Sequence, residues 1–191
     1  KEAGPCVLSR YKGKINLVYA GTLYKRIRNP EYLLRLIANL NNEDIVLHLF
    51  VQGDCMEIIN RYVRGSNGRI VVHGMVSKNE MQSIMQQANI LVNLGNSIYE
   101  KKPSKLYEYA STGKPIVNVH YQGIEYREFF DRYKLSLNIN QTAGNLHNDV
   151  INLQRFCVKN ANNVLSRAEI LESFEDSTPS YIAGIFEHRI K

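Results

Sequence analysis

Residues 99–117 read YEKKPSKLYEYASTGKPIV and carry two glutamates on either side of a Pro-Ser-Lys turn. Glu100 precedes the turn, and Glu108 follows eight positions later within a short amphipathic pattern of helical period. The pattern ends at Gly113, and the apolar run PIVNVH, typical of a buried strand, begins two residues on. This stretch therefore predicts a short helix that leads into an apolar strand.

Outward from this stretch, apolar runs of strand length alternate with helical patterns along the chain. In chain order the runs are INLVYA, IVLHLFV, RIVVHG, ANILVNLG, PIVNVH and LSLNI. Strands that are almost wholly apolar and alternate with helices indicate a parallel sheet that helices cover on both faces. The sequence thus predicts an α/β fold with a doubly wound, parallel, six-stranded sheet and a helical extension at its C-terminal end.

Two helix starts can be read directly from the sequence. The tripeptide Asn29-Pro30-Glu31 provides an N-cap, a proline where no amide is needed, and an acid in the first turn. Ser77 and Glu80 form a capping box. The helix that follows is predicted to bury four apolar residues, which are Met81, Ile84, Met85 and Ala88.

Composition limits the classes of function that are open to the chain. It has 191 residues, 44% of them hydrophobic, which suffices for one domain with a real core. The formal net charge of +6 favours anionic partners, such as phosphorylated small molecules, an acidic membrane surface or nucleic acid. Three widely spaced cysteines without a CxxC pair indicate free thiols, and they support neither a disulfide framework nor a zinc site.

Ligands of open parallel sheets bind beyond the carboxyl ends of the strands, where loops lead into helices. The helix that begins near Pro103 or Ser104 presents free amides at that edge, and its dipole favours a phosphate there. We expect Lys105 and the basic residues after Gly21 to complete a cradle for a diphosphate. Those basic residues are Lys25, Arg26 and Arg28.

The two glutamates would lie on either side of that cradle. Glu108 is one turn into the helix, on the same face as Ser104, where a carboxylate can accept two hydrogen bonds from a ribose diol. Glu100 is on the loop before the helix, and it would face whatever group is attached to the far end of the diphosphate.

The same stretch resembles the donor-site signature of GT-B glycosyltransferases of the group 1, or family 4, type. That signature has two glutamates separated by seven residues, here KKPSKLY, and the second is followed by Gly-x-Pro, here Gly113-Lys114-Pro115. The segments YAGTL, FVQG and VHGMV match the family in order and spacing. The resemblance covers Ile15 to Ile190 and implies the Rossmann-like C-terminal domain of a GT-B enzyme.

The resemblance implies a role for each part of the site. Glu108 would hold the nucleotide ribose, and Glu100 would contact hydroxyls of the donor sugar. The amides around Ser104 and Lys105 would bind the diphosphate, and the loop after Gly21 would supply basic phosphate ligands. The end of the third strand would lie beside the base, so the candidates for backbone contacts to the base are Gly74, Met75 and Val76.

The sequence departs from the family pattern at two places. The usual arginine after the glycine of the first strand is replaced by Thr22, so the sequence leaves open which cation of the loop binds phosphate. The usual small loop between the glutamates is replaced by Lys101, Lys102 and Pro103, so the loop that presents Glu100 differs from that of the family.

Full enzymes of this family have two such domains, and the acceptor site and a catalytic histidine belong to the N-terminal one. The resemblance therefore makes this chain the C-terminal, donor-binding half, with its catalytic residues on the missing domain. Residues 1–14 would be a remnant of the interdomain linker, and 15–177 the nucleotide-sugar-binding domain. Residues 178–191 would form a helix that packs toward the missing domain.

The implied activity is hexosyl transfer, with retention, from a UDP- or GDP-type sugar in the biosynthesis of a bacterial surface polysaccharide. The chain alone is expected to be inactive. No Asp-x-Asp occurs, and neither a metal nor a cofactor is expected, because helix amides and basic side chains can stabilise a leaving diphosphate. The expected partners are the nucleotide sugar, the missing acceptor domain and, through the full enzyme, an anionic membrane surface, but not nucleic acid. The expected location is the cytoplasm, at the inner face of the membrane for a peripheral enzyme.

Three other functions remain open at this point. A sugar-nucleotide 2-epimerase shares the GT-B fold and would act on the donor without an acceptor. A non-catalytic, flavodoxin-like binding module would need an acidic cluster after the first strand, where this chain has the basic segment GTLYKRIR. A nucleic-acid binder is suggested by the net charge alone and would lose affinity steeply with salt.

Overall fold

The computed structural model of the chain describes residues 7–97, 104–121, 126–142 and 144–174. The predicted nucleotide-sugar-binding domain, 15–177, falls largely within these ranges. The helix expected at 178–191 and the candidate sugar ligand Glu100 lie outside the described residues. No helix within the described ranges is both long enough and apolar enough to cross a membrane.

All six predicted strands form, and together they build one parallel sheet. The strands are β1 Ile15–Leu23, β2 Ile45–Gly53, β3 Ile70–Val72, β4 Ile90–Leu94, β5 Ile116–His120 and β6 Ser136–Asn140. Their order across the sheet, β3-β2-β1-β4-β5-β6, is that of a doubly wound fold and confirms the predicted fold class. The first strand runs beyond INLVYA, because its last residues keep the parallel register with β2 as far as Gly53.

The described residues contain seven α-helices. They are α1 Glu31–Ala38, α2 Met56–Gly65, α3 Lys78–Gln87, α4 Ser104–Ser111, α5 Arg127–Arg132, α6 Leu146–Asn160 and α7 Arg167–Ser173. The sequence analysis does not predict α5, since a six-residue helix is too short to show a helical period.

Hydrogen bonds form at both predicted helix starts, although α1 begins at Glu31, so Pro30 takes the cap position that the sequence assigns to Asn29. Oδ1 of Asn29 accepts a hydrogen bond of 2.9 Å from the amide of Glu31. At the start of α3, Ser77 and Glu80 form the predicted capping box, in which each side chain accepts from the backbone amide of the other. Of the predicted inward face of this helix, Met81 is half-buried, and the buried residues are Ile84, Met85 and Ala88.

Helices cover both faces of the sheet. One face packs against α1, α2 and α6, which contribute buried side chains such as Leu33, Ile59 and Leu153. The other face packs against α3, α4 and α5, and against a short 3-10 helix, Val7–Tyr11, which buries Leu8. The described part of the expected linker remnant, 1–14, therefore contributes a side chain to the core.

Gly113 ends the α4 segment in a conformation that requires glycine. Its φ is +71°, and a Cβ at this position would lie 2.4 Å from the carbonyl oxygen of Leu165. The carbonyl of Gly113 in turn accepts a hydrogen bond of 2.8 Å from the amide of Leu165. This contact fixes where the chain leaves α4 and enters β5, and so it helps to position the start of α4 at the opposite end of the helix.

Candidate functional site

The candidate site lies at the carboxyl edge of the sheet, where the strand order changes direction. β1 and β4 are neighbours there, and the chain leaves them toward opposite faces, to α1 and to α4. Such a crevice is the usual ligand site of open α/β sheets. Two segments border it: the loop 24–30 between β1 and α1, and the first turn of α4.

Lys105, in the first turn of α4, reaches across to the end of β1. Its Nζ donates a hydrogen bond to the carbonyl oxygen of Ala20 and lies 5.9 Å from the ring centre of Tyr109. Gly21 has a φ of +147°, and a Cβ there would lie 3.5 Å from this amine. Burial lowers the pKa of Lys105, and the carboxylate of Glu108 counteracts that shift.

Among the three cations of the loop 24–30, Arg28 is the one whose side chain lies at the end of β1. Its Nε donates a hydrogen bond of 2.9 Å to Oδ1 of Asn96, and its Nη1 lies 3.4 Å from the carbonyl oxygen of Thr22. Arg28 thus contacts the residue directly after Gly21, and Lys105 contacts the residue directly before it, so both cations lie at the end of β1. After burial, the charge of Arg28 adds to the lowering of the Lys105 pKa. The site therefore concentrates positive charge beside the end of β1.

Hydrogen bonds hold the loop in this position. The carbonyl of Tyr24 accepts a hydrogen bond of 2.8 Å from the amide of Arg28, which closes the loop on itself. The amide of Ser97 donates to the carbonyl of Ile27 at 2.7 Å. The hydroxyl of Ser97 donates to the carbonyl of Arg26, also at 2.7 Å. The loop is therefore tied to the segment that follows β4 and precedes α4.

The other two cations of the loop, Lys25 and Arg26, have exposed side chains. Nζ of Lys25 is 3.9 Å from a carboxylate oxygen of Glu57, and its backbone amide donates to Oδ1 of Asp54 at 2.8 Å. Both contacts direct Lys25 toward the start of α2. The side chain of Arg26 is exposed. Of the three predicted phosphate ligands, Arg28 is thus the one whose side chain contacts the end of β1, where Lys105 also lies.

Helix α4 begins at Ser104, as the sequence predicts, so its first amides lie at the carboxyl edge of the sheet. Glu108 lies one turn further along and is exposed. It lines an open cavity of about 570 Å³ between α3 and α4, together with Gln82 and Gln86 of α3. This cavity extends to the C-terminal end of α4, where Ser111, Thr112 and Lys114 line it, and so it lies toward the opposite edge of the sheet. The carboxylate of Glu108 is exposed to solvent.

Gly74, Met75 and Val76, the candidates for contacts to the base, connect β3 with α3 at the same edge of the sheet. Gly74 has a φ of +71°, and the side chain of Met75 is 55% exposed. Val76 packs partly against the core under α3. The connection thus presents backbone and one exposed apolar side chain at this edge.

Three polar side chains, from His73, His48 and Asn16, lie in a row that begins directly before this connection. Nε2 of His73 is 3.0 Å from Nδ1 of His48, whose Nε2 is 2.9 Å from Oδ1 of Asn16. His48 is fully buried, and this burial, followed by the charge of His73, lowers its pKa from 6.5 to about 3. Burial also lowers the pKa of His73. Both imidazoles are therefore neutral at pH 7, and one ring donates a hydrogen bond to the other.

Sequence reasoning missed three residues of the site: Tyr19, Asn96 and Tyr109. Asn96 positions Arg28, and the two tyrosines lie on either side of the Ala20–Gly21 backbone, against which Lys105 rests. The signal that could have found Tyr19 is its place in β1, where an aromatic residue with a polar tip interrupts an aliphatic run two positions before Gly21.

The arrangement suits an anionic ligand with hydroxyl groups. Two cations and the free amides of a helix start can bind phosphate oxygens, and an exposed carboxylate one turn away can accept hydrogen bonds from hydroxyls. Within the described ranges, no three His, Cys, Asp or Glu side chains converge in a way that could hold a metal ion.

Comparison with protein families gives one match over most of the chain. The family described as glycosyl transferases group 1 matches residues 14–169. Curated protein sequences give no match.

Several solved structures share the fold, and two of the three described below are glycosyltransferases by name. The lipopolysaccharide outer core galactosyltransferase WaaB, in its apo form, is 19% identical with a TM-score of 0.67, and the match covers 94% of this chain and 49% of that one. HepE from Anabaena in complex with UDP is 11% identical with a TM-score of 0.69, and the match covers 94% and 50%. The catalytic domain of the cholesterol-α-glucosyltransferase from Helicobacter pylori is 19% identical with a TM-score of 0.57, at 86% and 99% coverage. The chain spans about half the length of WaaB and HepE.

Proposed function

This chain belongs to the group 1 glycosyltransferases, and we propose that it binds the nucleoside diphosphate sugar for a retaining enzyme of surface polysaccharide synthesis. The observation that carries the proposal is the placement of two cations on either side of Gly21, since Lys105 at the start of α4 contacts the carbonyl of Ala20 and Arg28 contacts that of Thr22. Two cations at a helix N-terminus form a site for a diphosphate. HepE, which has the same fold, is in complex with UDP, and this supports the choice of ligand.

The diphosphate lies over Gly21, where the absence of a side chain lets phosphate oxygens approach the backbone. Lys105 donates to a carbonyl oxygen in the free protein, and it would exchange that neutral acceptor for a phosphate oxygen. Arg28 is already held by Asn96 and Thr22, so little side-chain entropy is lost when it binds. Charge-assisted hydrogen bonds of this kind contribute about 1.5–3 kcal/mol each.

The groups at the two ends of the diphosphate are bound by the two glutamates. Glu108 accepts hydrogen bonds from the ribose diol, since its carboxylate is exposed one turn beyond the amides that bind phosphate. Glu100, which lies outside the described residues, contacts hydroxyls of the sugar. Gly74, Met75 and Val76 contact the base through their backbone.

In sugar transfer the bond between the anomeric carbon and the diphosphate oxygen breaks, and negative charge develops on the leaving diphosphate. Lys105 and Arg28 stabilise that charge, which is larger in the transition state than in the bound donor, and this difference lowers the barrier. The acceptor site and the catalytic residues belong to the rest of the enzyme, which agrees with the coverage of about half of WaaB and HepE. WaaB acts on lipopolysaccharide outer core, and this supports a role in surface polysaccharide synthesis.

A thermal-shift panel of nucleotides tests the proposal. UDP, GDP and ADP are compared with their glucose conjugates, and tripolyphosphate at equal ionic strength controls for the attraction of any polyanion to a chain of net charge +6. A ligand at ~100 times its dissociation constant stabilises the folded state by about 2.7 kcal/mol. We expect one nucleoside diphosphate to raise Tm by much more than tripolyphosphate does. Equal shifts for all anions, or none, would contradict donor binding.

A further inference from the structure

Tyr19 and Tyr109 both carry a buried hydroxyl that lacks a hydrogen-bond partner within the described part of the chain. Their side chains are 3% and 1% exposed. Buried hydroxyls are nearly always paired, because an unpaired one loses its bonds to water without compensation. An unpaired hydroxyl at a ligand site therefore suggests that its partner is the ligand.

The two hydroxyls differ in their surroundings. The Tyr109 hydroxyl lies deep in the core under α4, against the backbone of Ala20. The Tyr19 hydroxyl lies at the end of β1, 3.3 Å from the position that a Cβ of Gly21 would take. Nζ of Lys105 is 3.5 Å from that same position. Glycine therefore leaves one small space that the Tyr19 hydroxyl and the Lys105 amine share.

Arg28 approaches the Tyr19 hydroxyl from the other side. The charge of its guanidinium and a contact with the Tyr19 oxygen both oppose the rise in the hydroxyl's pKa. That contact falls short of hydrogen-bond geometry, and in it the tyrosine oxygen could only accept, so the hydroxyl proton is left without an acceptor among the described residues. Burial is the larger effect and raises the pKa of Tyr19 to about 12, so the hydroxyl is protonated and able to donate. Three hydrogen-bond donors thus lie around Gly21, and they belong to Tyr19, Arg28 and Lys105. Among the described residues, the Tyr19 hydroxyl has no acceptor.

We propose that the Tyr19 hydroxyl donates a hydrogen bond to the diphosphate, and that this contact becomes available when Lys105 leaves the carbonyl of Ala20 for a phosphate oxygen. The inference rests on the proposed function. It adds a neutral hydrogen-bond donor on β1 to the nucleotide-sugar site, besides Arg28 of the loop and Lys105 of α4. Because the tyrosine is neutral, this contact cancels none of the phosphate charge. It adds directional preference for a phosphate oxygen over Gly21 and responds less to salt than a contact from a cation does.

Tyr19→Phe tests the inference, because it removes the hydroxyl and keeps the ring. Tyr133→Phe is the matched control: Tyr133 is equally buried, but its hydroxyl donates to the carbonyl of Lys114 at 2.7 Å. Calorimetry of the full chain with the nucleoside diphosphate that stabilises it best measures affinity. Ligand-observed NMR with the corresponding nucleoside reports binding without phosphate, and thermal unfolding reports stability.

We expect Tyr19→Phe to lower the affinity for the nucleoside diphosphate about tenfold and to leave the affinity for the nucleoside unchanged. Its Tm should be equal to or higher than that of the unaltered chain. Tyr133→Phe should lower Tm and leave the nucleoside diphosphate affinity unchanged. If Tyr19→Phe binds the nucleoside diphosphate as the unaltered chain does, or loses nucleoside binding equally, the inference is wrong. If the unaltered chain binds no nucleoside diphosphate, the proposed function itself fails, and the inference with it.

Discussion

The buried pair of His48 and His73 predicts a loss of stability in mild acid. The pKa of His48 is about 3 in the folded protein, against 6.5 in the unfolded chain. Between these values the unfolded chain binds more protons, so stability is full above pH 6.5 and falls as the pH drops toward 3. For His48 alone, lowering the pH from 7 to 5 should cost about 2 kcal/mol, which is RT ln(1 + 10^1.5) less a small term at pH 7.

The assay is urea unfolding of the unaltered chain and of His48→Gln at pH 7, 6 and 5. Glutamine retains hydrogen-bonding groups but does not titrate, so the variant should be less stable at pH 7 and show a flatter dependence on pH. His73 changes stability in the same direction, and its position directly before Gly74 means that acid should also loosen the connection to α3. Equal slopes for the two proteins would refute a neutral, buried His48 as the source of the effect.

Three further predictions concern the turn after α4, the two glutamates and catalysis. Gly113→Ala should destabilise the fold by about 1–3 kcal/mol in urea unfolding, because φ is +71° and a Cβ would lie 2.4 Å from the Leu165 carbonyl oxygen. Gly65→Ala should have an effect within about 1 kcal/mol, since a Cβ there meets nothing within 4 Å. Glu108→Ala should weaken the binding of both the nucleoside diphosphate and its sugar conjugate by about 1.5–3 kcal/mol, measured by calorimetry. Glu100→Ala should weaken the conjugate alone, and an equal loss for the plain nucleotide would refute this division of roles. The purified chain should transfer no sugar in a radiolabel assay with acceptor present, and detectable acceptor-dependent transfer would disprove the missing-half interpretation.

The sheet could be predicted from the sequence because its strands are almost wholly apolar. In β2, every residue from Ile45 to Val51 is buried, which only a strand covered on both faces explains over so short a run. Helix α5 could not be predicted, because its stability comes from distant aromatic contacts. Phe129 packs against Tyr107 of α4 and Phe174 after α7, with ring centres 5.4 and 5.0 Å apart.

For the site, the sequence predicts the kinds of residue but not their arrangement. Lys25, Arg26 and Arg28 are equivalent in a sequence pattern, since all three follow the first strand within a basic segment. Their directions depend on the hydrogen bonds of Ser97 to this loop and of Lys25 to Asp54, which join segments far apart in the chain. Tertiary contacts of this kind leave no local signal.

The most direct test of the donor-site account compares two loop cations by calorimetry. Arg28→Gln and Lys25→Gln remove the same charge from the same loop, but the Arg28 side chain contacts Thr22 beside Gly21, whereas Lys25 pairs with Glu57 at 3.9 Å. We expect Arg28→Gln to weaken nucleoside diphosphate binding by about tenfold or more and to leave nucleoside binding unchanged. Lys25→Gln should change the affinity by no more than about twofold, because exposed ion pairs contribute little. Equal losses for the two variants, or no loss for Arg28→Gln, would contradict the donor-site account.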